Sequence, residues 1–256
     1  MIDSHCHLDL AAFDKDREHV LSRATQCGVS GFLIPGTTAE GWQKQRKIKA
    51  LYPNIYLAFG WHPWFLHDDM STGCHMLEAA LNTHRGEIVA VGEVGLDATI
   101  SIPMAQQEAW LAEQLSLAQD AKLPVILHHR KTHHRLPAII KNSGFKEGGV
   151  VHGFSGGPQV AETYLSLGFK LGIGGTITYP RGNKTLEAIK AMGLTSVLLE
   201  TDAPDMPMRG FQGQRNEPAN LVEVVKPLQG LFDVSAKDIS RITDETFRGV
   251  FGRQSS

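Results

Sequence analysis

The sequence predicts an α/β fold, a closed (β/α)8 barrel of the TIM type, on three observations. Short β-rich runs alternate with segments of helical period along the chain, eight such runs occur, and several are continuously apolar. Alternation of strands with helices implies parallel pairing through right-handed crossovers. Continuous apolar strands imply a sheet covered on both faces. Eight such units fit a closed barrel better than an open doubly wound sheet, which is the alternative topology.

In chain order, Ile2 opens the first strand and a helix follows over 16–26. Strands are expected at 31–34, 55–59, 88–91, 125–127, 150–151, 170–173 and 196–199. Helices are expected between them at 40–51, 76–82, 106–121, 136–143, 159–167 and 184–192. A loop rich in Pro, Gly and Arg (203–218) follows the last strand, then helices over 219–231 and 236–250. Ser235 with Asp238 three residues on reads as a capping box for the last helix.

At 256 residues, with 42% hydrophobic and 20% charged residues, the chain has the profile of one globular domain spanning 1–256. Neither a signal peptide nor a run of 18 apolar residues is present, so the expected location is cytoplasmic, with no membrane association. Three cysteines without C-x-x-C spacing support neither disulfides nor a cysteine metal site, which leaves core packing for Cys6, Cys27 and Cys74. A net charge of −2 gives no global basic field, so a polyanionic substrate must be held locally.

The 12 histidines carry the functional signal. Asp3-Ser4-His5-Cys6-His7 ends strand one, His62 follows strand three, Glu93 ends strand four, and His128 and His152 end strands five and six; Asp202 ends strand eight. In a barrel all these ends open on one face, where active sites of this fold are built. Residues i and i+2 of a strand point to the same side, so His5 and His7 can grip one ion; alone, such a pair also reads as two surface or core histidines. Imidazoles with carboxylates suit zinc, manganese or another divalent ion in an open catalytic site.

Glu93 lies in the apolar run Ala90-Val91-Gly92-Glu93, where a buried carboxylate must be paired or coordinate metal. A carboxylate can bridge two cations about 3.5–4 Å apart, the arrangement that clamps attacking and leaving oxygens in phosphoryl displacement. His5 and His7 would serve one ion, His128 and His152 the other. Asp202 can ligate an ion and accept a proton from bound water, or can cap a turn. Glu200 is read as bracing the barrel behind these groups.

Arg130, Arg181, Arg209 and Arg215 fall in or beside loops after strands, where guanidinium forks suit phosphate oxygens; the other reading is solvated surface arginine. Arg130, two residues past His128, is the leading substrate contact. The turn Gly172-Ile173-Gly174-Gly175-Thr176 can approach a phosphate or serve packing. Trp61, Trp64, Phe154 and Phe211 can stack on bases or enter the core.

The motifs Asp3-Ser4-His5-Cys6-His7-Leu8, Gly60-Trp61-His62-Pro63, Gly92-Glu93-Val94-Gly95-Leu96-Asp97, Pro124-Val125-Ile126-Leu127-His128, His152-Gly153-Phe154-Ser155-Gly156 and Glu200-Thr201-Asp202-Ala203-Pro204 resemble the successive signatures of the TatD family of metal-dependent hydrolases. Gly174-Gly175-Thr176-Ile177-Thr178-Tyr179-Pro180-Arg181, with Asp205-Met206-Pro207, is similar to the YjjV-like subgroup. The resemblance implies a metallo-dependent hydrolase barrel with two divalent ions (Zn, Mn or Mg) and phosphodiesterase activity of the deoxyribonuclease type, by attack of a metal-bound hydroxide. It makes His5, His7 and Asp202 ligands of one ion, His128 and His152 ligands of the other, and Glu93 shared. Asp202 and Glu93 are the catalytic carboxylates. His62 would contact substrate at the mouth of the site, or pack as a turn histidine under Trp61 or Trp64.

Ala98 stands where the family commonly has an aromatic, and Lys131-Thr132 where an acid and alanine are usual. The expected substrate is DNA or a smaller phosphoester, with no stable protein partner implied. Two other functions are weighed: an amidohydrolase or esterase acting on a small carbonyl or phosphoester substrate, and a non-catalytic scaffold. The first often uses a carbamylated lysine where this chain has Glu93, and the second requires a lost ligand.

Overall fold

The computed structural model describes residues 1–252; the expected domain 1–256 ends in residues 253–256, which lie outside the described residues. Eight parallel strands pair in sequence order as one sheet. They are β1 Ile2–Asp3, β2 Gly31–Ile34, β3 Ile55–Phe59, β4 Ile88–Asp97, β5 Val125–Arg130, β6 Gly149–Val151, β7 Phe169–Ile173 and β8 Val197–Leu199. The helices between them are α1 Arg17–Gln26, α2 Ala39–Leu51, α3 Met70–Thr83, α4 Met104–Ala121, α5 Leu136–Ser143, α6 Pro158–Ser166 and α7 Asn183–Met192, followed by α8 Leu221–Phe232 and α9 Ala236–Phe251.

The seam between β8 and β1 is closed by backbone bonds rather than left as an open edge. Ser4 N–H donates to Leu199 O at 2.8 Å, Asp202 N–H to His5 O at 2.9 Å, and His7 N–H to Ala203 O at 2.8 Å. Asp3, fully buried, staples the same seam: it accepts from Thr201 Oγ1 at 2.6 Å, Thr201 N at 3.0 Å and His5 N at 3.3 Å. The barrel prediction holds and the open sheet does not.

Ile2, Leu33, Ala58, Ala90, Ile126, Val150 and Leu198 form one apolar cluster that Phe247 and Phe251 of α9 join. A larger cluster fills the layer between strands and helices. Together they bury both faces of the sheet, as the continuous apolar runs predicted. The helix predicted from 76 begins at Met70, because Asp69 caps it by accepting from Thr72 N at 3.0 Å. Ser235 caps α9 as read, accepting from Asp238 N at 3.1 Å. Among the described residues no helix is long and apolar enough to cross a membrane.

Cysteine fates divide. Cys6 is in the core, but Cys27, at the end of α1, is exposed and Cys74, on α3, is only half-buried. The core reading fails for Cys27, which lies on the surface past the last turn of α1, and holds in part for Cys74, which packs against the larger cluster from a half-buried position.

Candidate metal centre

Strand β4 does not end near Val91 but runs through Glu93 to Asp97, buried throughout. Its pairing with β5 shifts register between Val91 and Val94, a bulge that re-aims the side chain between them. There Glu93 N–H donates to Gly36 O at 2.6 Å and Gly36 N–H to Gly92 O at 2.8 Å. Gly92 is required: a Cβ on it would stand 2.6 Å from Ile126 Cβ. Gly95, at φ +147°, would place a Cβ 2.1 Å from His128 O. These glycines read as strand breaks in sequence, yet they let β4 and β5 approach and carry Glu93 into the centre.

One oxygen of Glu93 faces the end of β1. Its Oε2 lies 3.2 Å from His5 Nε2 and 3.6 Å from His7 Nε2, while Asp202 Oδ1 lies 3.5 and 3.7 Å from the same nitrogens. Donors around a tetrahedral divalent ion stand roughly 3.4 Å apart, given metal–ligand bonds of about 2.1 Å. Both ring nitrogens of His5 are buried with no hydrogen-bond partner, as is His7 Nδ1. An orphaned His5 Nε2 beside His7 Nε2, spaced this way between two carboxylates, fits a cation. Burial lowers His5 well below the ordinary imidazole value, with charge on His152 adding, and burial brings His7 down to about 4. Both imidazoles are therefore neutral and available as donors near neutral pH.

The other oxygen faces β5 and β6. Glu93 Oε1 is 2.7 Å from His128 Nδ1, 2.8 Å from His152 Nε2 and 3.4 Å from His62 Nε2. His128 Nδ1 and His152 Nε2 are 3.2 Å apart. Burial works against charge on His152, yet the negative charge of Glu93, Asp202 and Glu200 carries it up to about 10. Burial likewise opposes charge on His128, but bonds to Asp97 and Glu93 raise it. Burial would raise Glu93, but the imidazoles of His152, His62 and His5 hold it well below the usual carboxylate range.

Behind the ring of donors stands a second set of carboxylates. Asp97 Oδ2 lies 3.4 Å from His128 Nε2 and accepts from Trp64 Nε1 at 2.7 Å. Glu200 Oε1 lies 3.8 Å from His152 Nδ1 and accepts from Gly153 N, and burial pushes its carboxyl up to about 8. A carboxylate hydrogen-bonded to the far nitrogen of an imidazole fixes its ring and tautomer, as Asp97 does for His128, whereas Glu200 faces His152 Nδ1 beyond hydrogen-bond distance. Asp97 received no role in the sequence reading, although its four-residue spacing from Glu93 on one strand puts both on one face. Asp202, at φ +56°, holds a left-handed conformation that Asp tolerates better than most residues, and burial, with Glu93 and Asp205 adding, pushes its carboxyl up to about 7.

Of the residues singled out from sequence, His5, His7, Glu93, His128, His152 and Asp202 come together, and His62 joins them, buried against Glu93. The turn reading of His62 holds as well, since its Nδ1 accepts from Trp64 N at 3.1 Å. Arg130 ends β5, exposed, as the register partner of Asp97. Arg215 is instead spent on Asp16, at 2.7 and 2.8 Å, and Arg181 lies over the Tyr179 ring. Trp61 and Phe154 are core residues, so neither is free to stack on a base. The Gly172 turn serves packing: a Cβ on Gly172 would stand 2.2 Å from Glu200 Oε2. Strand alternation also explains His129, which points the other way from His128 and sets its ring against that of His133, tilted by 32° at 3.8 Å between centroids.

Comparison with known proteins shows the family and the fold. The chain is 44% identical to the uncharacterized metal-dependent hydrolase YjjV of Escherichia coli K12, over 94% of this chain and 93% of that one. It is 34% identical to a protein of Rahnella sp. named 3'-5' ssDNA/RNA exonuclease TatD, with 98% of each chain covered. The crystal structure of the E. coli TatD homolog YjjV superposes with a TM-score of 0.93 at 42% identity, covering 98% of both chains. A profile of the family described as TatD related DNase matches residues 2–252, and the chain belongs to that family of metal-dependent hydrolases.

Proposed function

We propose that this chain hydrolyses phosphodiester bonds of nucleic acid with two divalent cations held on either side of Glu93. His5, His7 and Asp202 would hold one, His128 and His152 would hold the other, and Glu93 would be shared between them. The observation that carries the reading is the pair of buried imidazole nitrogens, His5 Nε2 and His7 Nε2, spaced 3.2–3.7 Å from two carboxylates at the end of the barrel, the first of them without a hydrogen-bond partner. When bound, such cations draw charge off a phosphate and make nearby water more acidic. Zinc, manganese and magnesium all suit parts of this donor set.

The chain's own groups divide the remaining work. Asp202, with its carboxyl near neutrality, accepts the proton of the attacking water. Asp97 keeps the His128 ring in one orientation, and Glu200 sets a carboxyl facing the His152 ring. His62, through Nε2, and Arg130, at the rim, contact the substrate phosphate.

The test is cleavage of end-labelled single-stranded DNA with Mg²⁺ or Mn²⁺, against EDTA and Glu93→Ala controls. Cleavage lost in both controls is the expected result. Turnover of a lactone or cyclic amide by metal-loaded protein that leaves every phosphodiester intact would overturn it in favour of a carbonyl substrate.

A further inference from the structure

One aromatic ring at the mouth of the barrel is held by the centre itself. Trp64 lies in the short 3₁₀ turn Pro63–Phe65 that follows β3, and it is 51% exposed, whereas Trp42, Trp61 and Trp110 are buried. An exposed indole is ordinarily free to change rotamer; this one is tied at both ends. Its backbone N–H donates to His62 Nδ1 and its Nε1–H to Asp97 Oδ2, and its ring meets the His62 ring edge-on at 5.5 Å. The same Asp97 oxygen faces His128, whose other nitrogen faces Glu93. Arg130 is the strand partner of Asp97, exposed, and among the described residues it forms no ion pair. A tethered, open π-face therefore stands at the rim of the centre, bonded to the strand partner of Arg130.

We propose that Trp64 is the platform on which an unpaired base of the substrate stacks, and that it makes the site select single strands. The proposal rests on the nucleic-acid reading above. Every base has a π-face, so a stacking platform binds without reading sequence, but only a strand free of its complement can splay a base onto it. A ring already immobilised loses little side-chain entropy on binding. Phe65, also exposed in the same turn, widens the apolar surface.

Because Trp64 is the exposed one of four tryptophans, acrylamide quenching of indole emission reports it selectively. The probes are a phosphorothioate thymidine pentamer and the same backbone with abasic sites at every position, both with Mn²⁺ present. The thymidine pentamer is expected to shield the ring and the abasic one is not. With ordinary phosphate linkages, Trp64→Leu is expected to raise KM for the thymidine oligomer by about 5- to 100-fold, and by much less for the abasic oligomer. Trp64→Phe, which keeps a ring but drops the bond to Asp97, is expected to recover most of that KM. Equal KM rises on both oligomers, or no shielding by the thymidine pentamer, would overturn the proposal. Shielding without cleavage by the native protein would leave stacking standing and remove the nuclease reading. Cleavage of both oligomers with equal KM would do the reverse.

Discussion

The two oxygens of Glu93 face halves of the centre that are built differently. Around Oε2, His5 and His7 stand off at 3.2 and 3.6 Å, with Asp202 3.5 and 3.7 Å from the same nitrogens, and both imidazoles have lowered pKa values and a nitrogen without a partner. Around Oε1, His128 and His152 close to 2.7 and 2.8 Å with raised pKa values, spacings and shifts that favour a proton between each imidazole and the carboxylate. The same residue types thus make a half already spaced for a cation and a half held by protons. A cation entering the first displaces little, whereas one entering the second must drive protons off. The two sites should therefore differ in affinity and in pH dependence.

The largest effect expected is that of Glu93→Ala, which removes the carboxylate common to both halves: kcat/KM for single-stranded DNA should fall by at least about 10³-fold. Elemental analysis of the same variant should show cation loss from both halves. Next, His7→Ala and His152→Ala should separate the halves, the first losing the tightly held ion and the second only the weaker one, as read by cation retained after dialysis. Asp97→Asn and Glu200→Gln, which loosen His128 and His152 from behind, should cost about 10- to 100-fold in affinity for the second cation and less for the first. Among the arginines, Arg130→Ala should raise KM about tenfold through one lost charged hydrogen bond. Arg215→Ala, which breaks an exposed pair with Asp16, should leave KM unchanged.

A pH experiment sharpens the comparison further. In the metal-free protein His128 and His152 have folded pKa values above the unfolded value of 6.5, so their contribution to stability is full below pH 6.5 and is lost as pH rises through the folded values, about 10 for His152. Thermal melts of the EDTA-treated protein should show Tm falling from pH 6.5 toward 10. A cation in the second half replaces those protons, so the loaded protein should fall less over the same range.

Much of this was readable from residues alone, for physical reasons that can be named. Strand positions announced themselves through β-rich apolar runs, and the six candidate donors through polar residues placed at strand ends. Strand β4 was cut short because Gly92 and Gly95 look like breaks, when they are what allows close packing against Ile126 and His128. Asp97 and Trp64 drew no joint role because their bond crosses 33 residues, and only the barrel brings the ends of β3 and β4 together. Arg215 looked like a phosphate ligand because its loop position is visible in sequence, but its partner Asp16, 199 residues away, is not. Composition separates buried from exposed aromatics poorly, which is why Trp61 and Trp64, three residues apart, have opposite fates.

The most direct measurement is a Mn²⁺ titration of metal-free protein at pH 8, followed together by electron paramagnetic resonance and by proton release into a weakly buffered indicator. The account predicts a first ion bound with almost no proton release and a second bound with about one proton released, giving the exchange-coupled signal of two ions sharing Glu93 and the onset of DNA cleavage. Isolated, uncoupled Mn²⁺ at full activity, or a coupled pair that survives Glu93→Ala, would contradict it.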